Sequence, residues 1–228
     1  MAIKVYWACL EQEWLRAKKP EPVYESFVKS KKFSQTNIQY CPAFRRSLEN
    51  VFQLRSIYDY NFSIVNGLAV SDLYNQAFFN EHVLIRSMDE KCFSFQQYYV
   101  FITDNDSLHM TANMYPVLEN NAITDNCMIF PGTYDIGRWY RNLEFGFALK
   151  NNCQKFEIKE NDVYAYLQFH TDKKINFIQY RHNEKLAELM KDCIWSREFK
   201  LKFKKLDEFY FMFKTKKMII NEIKRNVI

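Results

Sequence analysis

Glycine is scarce, with four residues in a 228-residue chain, where average usage of about 7 % would supply roughly 16. The glycine-rich phosphate loops, G-x-G-x-x-G and G-x-x-x-x-G-K-Ser/Thr, are both absent, which argues against the common nucleotide-binding folds. A G-x-S-x-G elbow, a Cys-His neighbourhood and H-E-x-x-H are missing too, so the usual hydrolase arrangements have no footing. The nearest two of the six cysteines, Cys127 and Cys153, are 26 residues apart. That spacing excludes a C-x-x-C zinc or redox pair. Free, mostly buried thiols in a reducing compartment are expected, hence cytoplasm. Residues 2–10 contain Lys4 and are followed by Glu11, Glu13 and Arg16, so no signal peptide is expected. No window approaches 18 uncharged apolar residues, and no membrane span is expected.

What is abundant is aromatic. Tyr 15, Phe 21 and Trp 4 make 18 % of the chain, and hydrophobic residues make 48 %. A chain of this size and composition can bury a core without disulfides or metal and fits a single domain. The net charge of +5 is unevenly placed: residues 197–228 carry ten Lys and Arg against four acids, a balance of +6. The first 196 residues are therefore near −1, and any nucleic-acid argument rests on the tail alone. The lysine- and asparagine-rich composition is that of an AT-rich genome, which points to a source and not to an activity.

Period-two alternation predicts a β-rich core over residues 1–182. Residues 3–8, 51–55 and 58–65 read as strands, with Asn66-Gly67 as a turn. Residues 92–103 form a long strand whose expected hairpin partner is 108–114, across the polar loop Asp104-Asn105-Asp106-Ser107. Residues 139–149 place Trp139, Leu143, Phe145, Phe147 and Leu149 on one face. Residues 163–169 and 175–180 continue the pattern. A short helix is expected at 11–19 and an extended run at 37–41 stopped by Pro42. Residues 69–88 give no clear pattern. Short strands at this spacing predict an antiparallel sandwich, jelly-roll or β-clip-like, of mainly β (α+β) class. After His182 the period changes. Leu186, Leu189, Met190 and Cys193, then Leu206, Phe209, Tyr210 and Phe213, then Ile219, Ile220, Ile223 and Val227 predict two to three helices packed on the core as residues 183–228.

Three segments have site-like chemistry. Asp135, Arg138, Tyr140 and Arg141 surround a glycine-flexed turn, and three of the four glycines (Gly132, Gly137 and Gly146) fall within one fifteen-residue stretch there. An acid with arginines suits binding of a carboxylate or phosphate, and the plain alternative is a tight turn closed by an Asp135–Arg141 pair. His170-Thr171-Asp172 has the H-x-D spacing of a 2-His-1-carboxylate iron site, with His182, His82 or His109 as third ligand. Cys41-Pro42-Ala43 precedes Arg45 and Arg46; a cation near that thiol would activate it, and a small buried thiol is the simpler expectation. The basic, aromatic tail suits an amphipathic helix with a lysine-rich solvent face, docking to a protein partner or, less favoured, nucleic acid.

Gln39-Tyr40-Cys41-Pro42-Ala43, residues 50–59, the run from Phe130-Pro131-Gly132 to position 149, residues 156–169 and Ile223-Lys224-Arg225-Asn226 together resemble a family of uncharacterised proteins of large T4-like and marine tailed phages. The resemblance implies an infected bacterial cell or a virion as the setting, and it implies no activity. Residues 130–169 also resemble the closing segment of the dUTPase and dCTP deaminase β-clip fold, with the Asn151-Asn152 turn, Glu160-Asn161-Asp162 and Asp135 as its acid. Arg138-Trp139-Tyr140-Arg141 replaces the small residues of that pattern. The functional expectation is a non-catalytic phage protein without a cofactor, structural or partner-binding, acting through aromatic and basic surfaces or by self-association. The alternative is an enzyme: a non-haem iron, 2-oxoglutarate-type oxygenase, or a nucleotide-handling β-clip protein.

Overall fold

The computed structural model describes residues 2–10, 15–29, 37–87, 91–112, 117–118, 122–200 and 215–228. The strands build two facing sheets, and several strands of each are buried along nearly their whole length. The first holds β14 (Ile175–Gln179), β1 (Ile3–Cys9), β7 (Cys92–Thr103), β11 (Asn142–Leu149) and β9 (Cys127–Phe130) in that order, and β6 (Val83–Ser87) also pairs with β7. The second runs β10 (Gly132–Tyr134), β8 (Met110–Ala112), β13 (Val163–Phe169), β3 (Val51–Arg55), β2 (Glu21–Pro22). A smaller sheet of β12 (Lys155–Ile158), β4 (Tyr60–Val65) and β5 (Leu68–Val70) extends the packing. The class is mainly β, sandwich-like α+β, and no barrel closes.

Between the sheets lies the main core, where Ile3, Val5 and Trp7 of β1 meet Phe52, Leu54, Leu167 and Phe169 of the second sheet. Under β4 and β12, Phe62, Phe93, Phe95 and Phe156 pack with ring centroids 5.0–6.3 Å apart, several edge to face. Such pairs add about 0.5–1.5 kcal/mol each beyond area burial. A short helix, α4 (Ala122–Asn126), leads into β9. The other face of the first sheet (Tyr6, Ala8, Val100, Ile102) is covered by α5 (Glu184–Lys200) and α6 (Lys216–Arg225) through Leu186, Met190, Cys193, Ile219, Ile220 and Ile223. The outer face of the second sheet is covered by α1 (Val23–Lys29) and α2 (Pro42–Ser47), with Val23, Leu48, Val51, Val163 and Tyr166 in one cluster. The order is thus helix, sheet, sheet, helix.

Both halves of β7 are used. Tyr98 sits at φ 58°, rare for a bulky residue. The edge that pairs with β6 before this point pairs with β1 after it. With β11 on its other edge, β7 has no room for a hairpin partner. The expected 92–103/108–114 hairpin is therefore wrong: β8 crosses to the second sheet and pairs with β10 and β13. Likewise β14 pairs parallel with β1, so the sandwich is not purely antiparallel. Residues 37–40 form a 3-10 turn, not a strand, and Pro42 starts α2 instead of ending an extended run. Proline suits the first helical position, where its missing N–H is an orphan anyway. The expected helix at 11–19 lies partly outside the described residues, and 15–19 are not α-helical. The unpatterned stretch 69–88 contains α3 (Gln76–His82), capped by the Asn75 side chain, which accepts from the Phe78 N–H at 3.0 Å. The predicted helix through Leu206, Phe209, Tyr210 and Phe213 lies outside the described residues.

Candidate functional site

The Asp135 turn is held by backbone. The Asp135 carbonyl accepts from the N–H groups of Arg138 (3.1 Å) and Trp139 (2.8 Å), and the Ile136 carbonyl accepts from Thr103 N–H at 3.1 Å. Gly137 is required here, because a Cβ would lie 2.5 Å from the Asn105 carbonyl oxygen. The Asp135 carboxyl is buried; its Oδ2 is 3.9 Å from Arg138 Nε, and Oδ1 has no hydrogen-bond partner. Burial pushes its pKa up, opposed by the charges of His109 and Arg138 and by the Gly137 and Arg138 amides.

The other two residues of this candidate site turn away. Tyr140 is fully buried beneath the C-terminal helices with its hydroxyl 3.0 Å from that of Tyr180. Arg141 reaches Glu144 Oε1 at 2.8 Å and lies over the Trp139 ring. The expected Asp135–Arg141 pair is replaced by Asp135–Arg138 and Arg141–Glu144. Glu144 also takes Arg86, so one carboxylate is shared by two arginines within the fold. The four side chains do not converge on a common point.

The histidines are dispersed as well. His170 is exposed, with Nε2 2.6 Å from Thr111 Oγ1, which is 2.9 Å from Thr133 Oγ1. Asp172 is exposed on the following turn. His82 lies on α3, stacked on Phe78 at 4.2 Å, with Nδ1 2.9 Å from the Phe78 carbonyl. His182 packs near Tyr140, ring centroids 6.3 Å apart, and burial lowers its pKa to about 4. His109 meets His170 through backbone, its carbonyl accepting the His170 N–H at 3.0 Å. Among the described residues no three His, Cys, Asp or Glu side chains gather as metal ligands, so the H-x-D motif is not completed there by His182, His82 or His109. Cys41 is exposed, against the expectation of a buried thiol, because it occupies the extended position before α2.

The chemistry-bearing surface lies elsewhere. Asn66 and Gly67, at φ 49° and 76°, make the two-residue turn of a β4–β5 hairpin. Its register pairs Val65 with Leu68 and Ser63 with Val70. Paired residues share a face and alternate residues return to it, so Val65, Leu68 and Val70 project together, opposite buried Ala69. Their exposures are 49 %, 52 % and 49 %, and Leu73 just beyond is 56 % exposed. Beside them runs a groove of about 270 Å³ lined by Gly67, by Leu68 and Ala69 of β5, by Gln76, Phe79 and Asn80 of α3 and by Val83, Leu84 and Ile85 of β6. Half-buried rings of Tyr74, Phe78 and Tyr58 continue along α3, with the Arg16 guanidinium 5.0 Å from the Tyr58 ring centre. The turn was legible in the sequence; the outward aim of its aliphatic side chains was not. No helix among the described residues is long and apolar enough to cross a membrane. No family model, curated protein or solved structure matches the chain.

Proposed function

We propose that this is a non-catalytic, partner-binding protein whose docking surface is the outer face of the β4–β5 hairpin together with the adjoining groove along β5, α3 and β6. The observation that carries this reading is the coplanar trio Val65, Leu68 and Val70, each about half exposed and followed by Leu73. A contiguous exposed apolar patch is one mark of a protein interaction site. The partner is a protein that presents an extended apolar segment. Its side chains fill the groove, and β5, at the end of its sheet, is available for strand addition. The sequence resemblance supports a tailed-phage setting, with the partner in the infected cell or in the virion.

Panning a random peptide library on the protein, with counter-selection on the Leu68→Lys/Val70→Lys variant, tests the proposal. The expected result is a β-branched, apolar consensus bound by the wild type only. Covering a half-exposed aliphatic side chain gains about 1 kcal/mol, so the double variant should lose roughly tenfold or more in affinity. Peptides that bind both proteins equally would refute this docking face. Concentration-dependent dimerisation abolished by the same variant would identify the partner as a second copy of the chain.

A further inference from the structure

We propose that the pocket between α1 and α2 is a binding site for a small phosphorylated, hydroxyl-bearing molecule, with Arg45 and Arg46 as its phosphate fork. The cavity holds about 370 Å³ and is lined by Tyr24, Pro42, Arg45, Arg46, Leu48 and Glu49. That volume falls in the range of about 300–1,000 Å³ typical of small-molecule sites. Its walls are pre-set. The Tyr24 hydroxyl donates to the Gln39 carbonyl at 3.0 Å, Phe27 and Phe44 clamp α1 to α2 with centroids 5.0 Å apart, and Leu48 is anchored in the cluster beneath.

The pocket's arginines lack a carboxylate partner among the described residues, as does Arg16, which lies over the Tyr58 ring. Arg55, Arg86, Arg138, Arg141 and Arg225 each meet a carboxylate. Arg45 and Arg46 meet none among the described residues. Arg45 instead lies over the Tyr24 ring, 5.5 Å from its centre. Stacking holds the guanidinium plane and leaves its N–H edge for an oxyanion. Both exposed arginines line the pocket against one lining acid, Glu49, which leaves it positive. Bidentate N–H donation to phosphate is the contact these groups make best. Glu49 supplies an acceptor for a ligand hydroxyl, and Pro42 and Leu48 supply apolar wall. The site is separate from the hairpin face and does not depend on it.

The test is calorimetric titration of the full chain with inorganic phosphate, ribose 5-phosphate, ribose and a twelve-residue oligothymidylate, with the Arg45 and Arg46 Nε–H resonances followed in parallel. Ribose 5-phosphate should saturate the site and shift both arginine signals, with ribose failing to do so and inorganic phosphate binding more weakly. Arg45→Gln and Arg46→Gln should each weaken ribose 5-phosphate by about 10–100-fold, the worth of one charge-assisted contact, with unchanged melting temperature as the control for folding. Absence of saturable binding of ribose 5-phosphate, or binding that neither substitution alters, would overturn the proposal. Much tighter, arginine-dependent binding of the oligothymidylate would also overturn it, in favour of a nucleic-acid surface.

Discussion

His182 couples the stability of the fold to pH with a sign opposite to that of most histidines that gain an acidic partner. Its ring is partly buried close to Tyr140, with centroids 6.3 Å apart, and its Nε2 has no hydrogen-bond partner. Burial disfavours the imidazolium and lowers the pKa from 6.5 to about 4. Between these values the unfolded chain binds a proton that the folded chain refuses. The contribution of the neutral ring is therefore complete above pH 6.5 and is lost as pH falls toward 4. At about 1.4 kcal/mol per pK unit the full loss is about 3 kcal/mol, of which about 2 kcal/mol has gone by about pH 5. The assay is urea unfolding of the wild type and of His182→Gln at about pH 7.5 and about pH 5. The wild type should lose about 2 kcal/mol more than the variant on acidification. Other groups, including Asp135 with its raised pKa, are common to both proteins and cancel in the difference. Equal losses in the two proteins would refute the reasoning.

Other outcomes follow from the same geometry. Gly137→Ala forces a methyl against the Asn105 carbonyl and should cost about 1–3 kcal/mol, read as a drop in melting temperature. Tyr140→Phe or Tyr180→Phe alone leaves one buried hydroxyl unpaired and should cost about 1–3 kcal/mol, whereas the double variant should recover part of that loss in a thermodynamic cycle. Glu222 is bonded by Asn183, Lys185 and Asn226, and its contacts with Lys185 and Asn183 hold its pKa at about 2. Its contribution is thus complete above pH 4.5 and lost as pH falls through about 2. Glu222→Gln should speed hydrogen exchange across α6 at neutral pH and leave the β7 amides unchanged.

The strands that alternate cleanly were legible because one face is buried: Leu143, Phe145, Phe147 and Leu149 all point into the main core. The helix stripes at Leu186, Met190 and Cys193 and at Ile219, Ile220 and Ile223 were legible for the same reason. Pairing was not. Which edge of β7 is free depends on β1, β6 and β11, which lie far apart in sequence, so a four-residue polar loop was mistaken for a hairpin turn. The site residues failed differently. Asp135, Arg138 and Arg141 are chemically apt, but each charge is taken up by a neighbour, which spacing alone does not reveal. His182 has the residue type of a metal ligand and is a partly buried ring whose lowered pKa keeps it neutral. Tyr24 and Arg45 come together across twenty-one positions through the α1–α2 clamp, and Val65, Leu68 and Val70 carry no sequence mark separating an exposed aliphatic face from a core one.

The most direct test of the docking face is a methyl-resonance titration of the protein with a library-selected peptide. The account predicts that Val65, Leu68, Val70 and Leu73 shift together, with Val83, Leu84 and Ile85 of the groove following. Shifts centred instead on Ile136 beside Asp135, or on Leu48 beneath the arginine pocket, would contradict it.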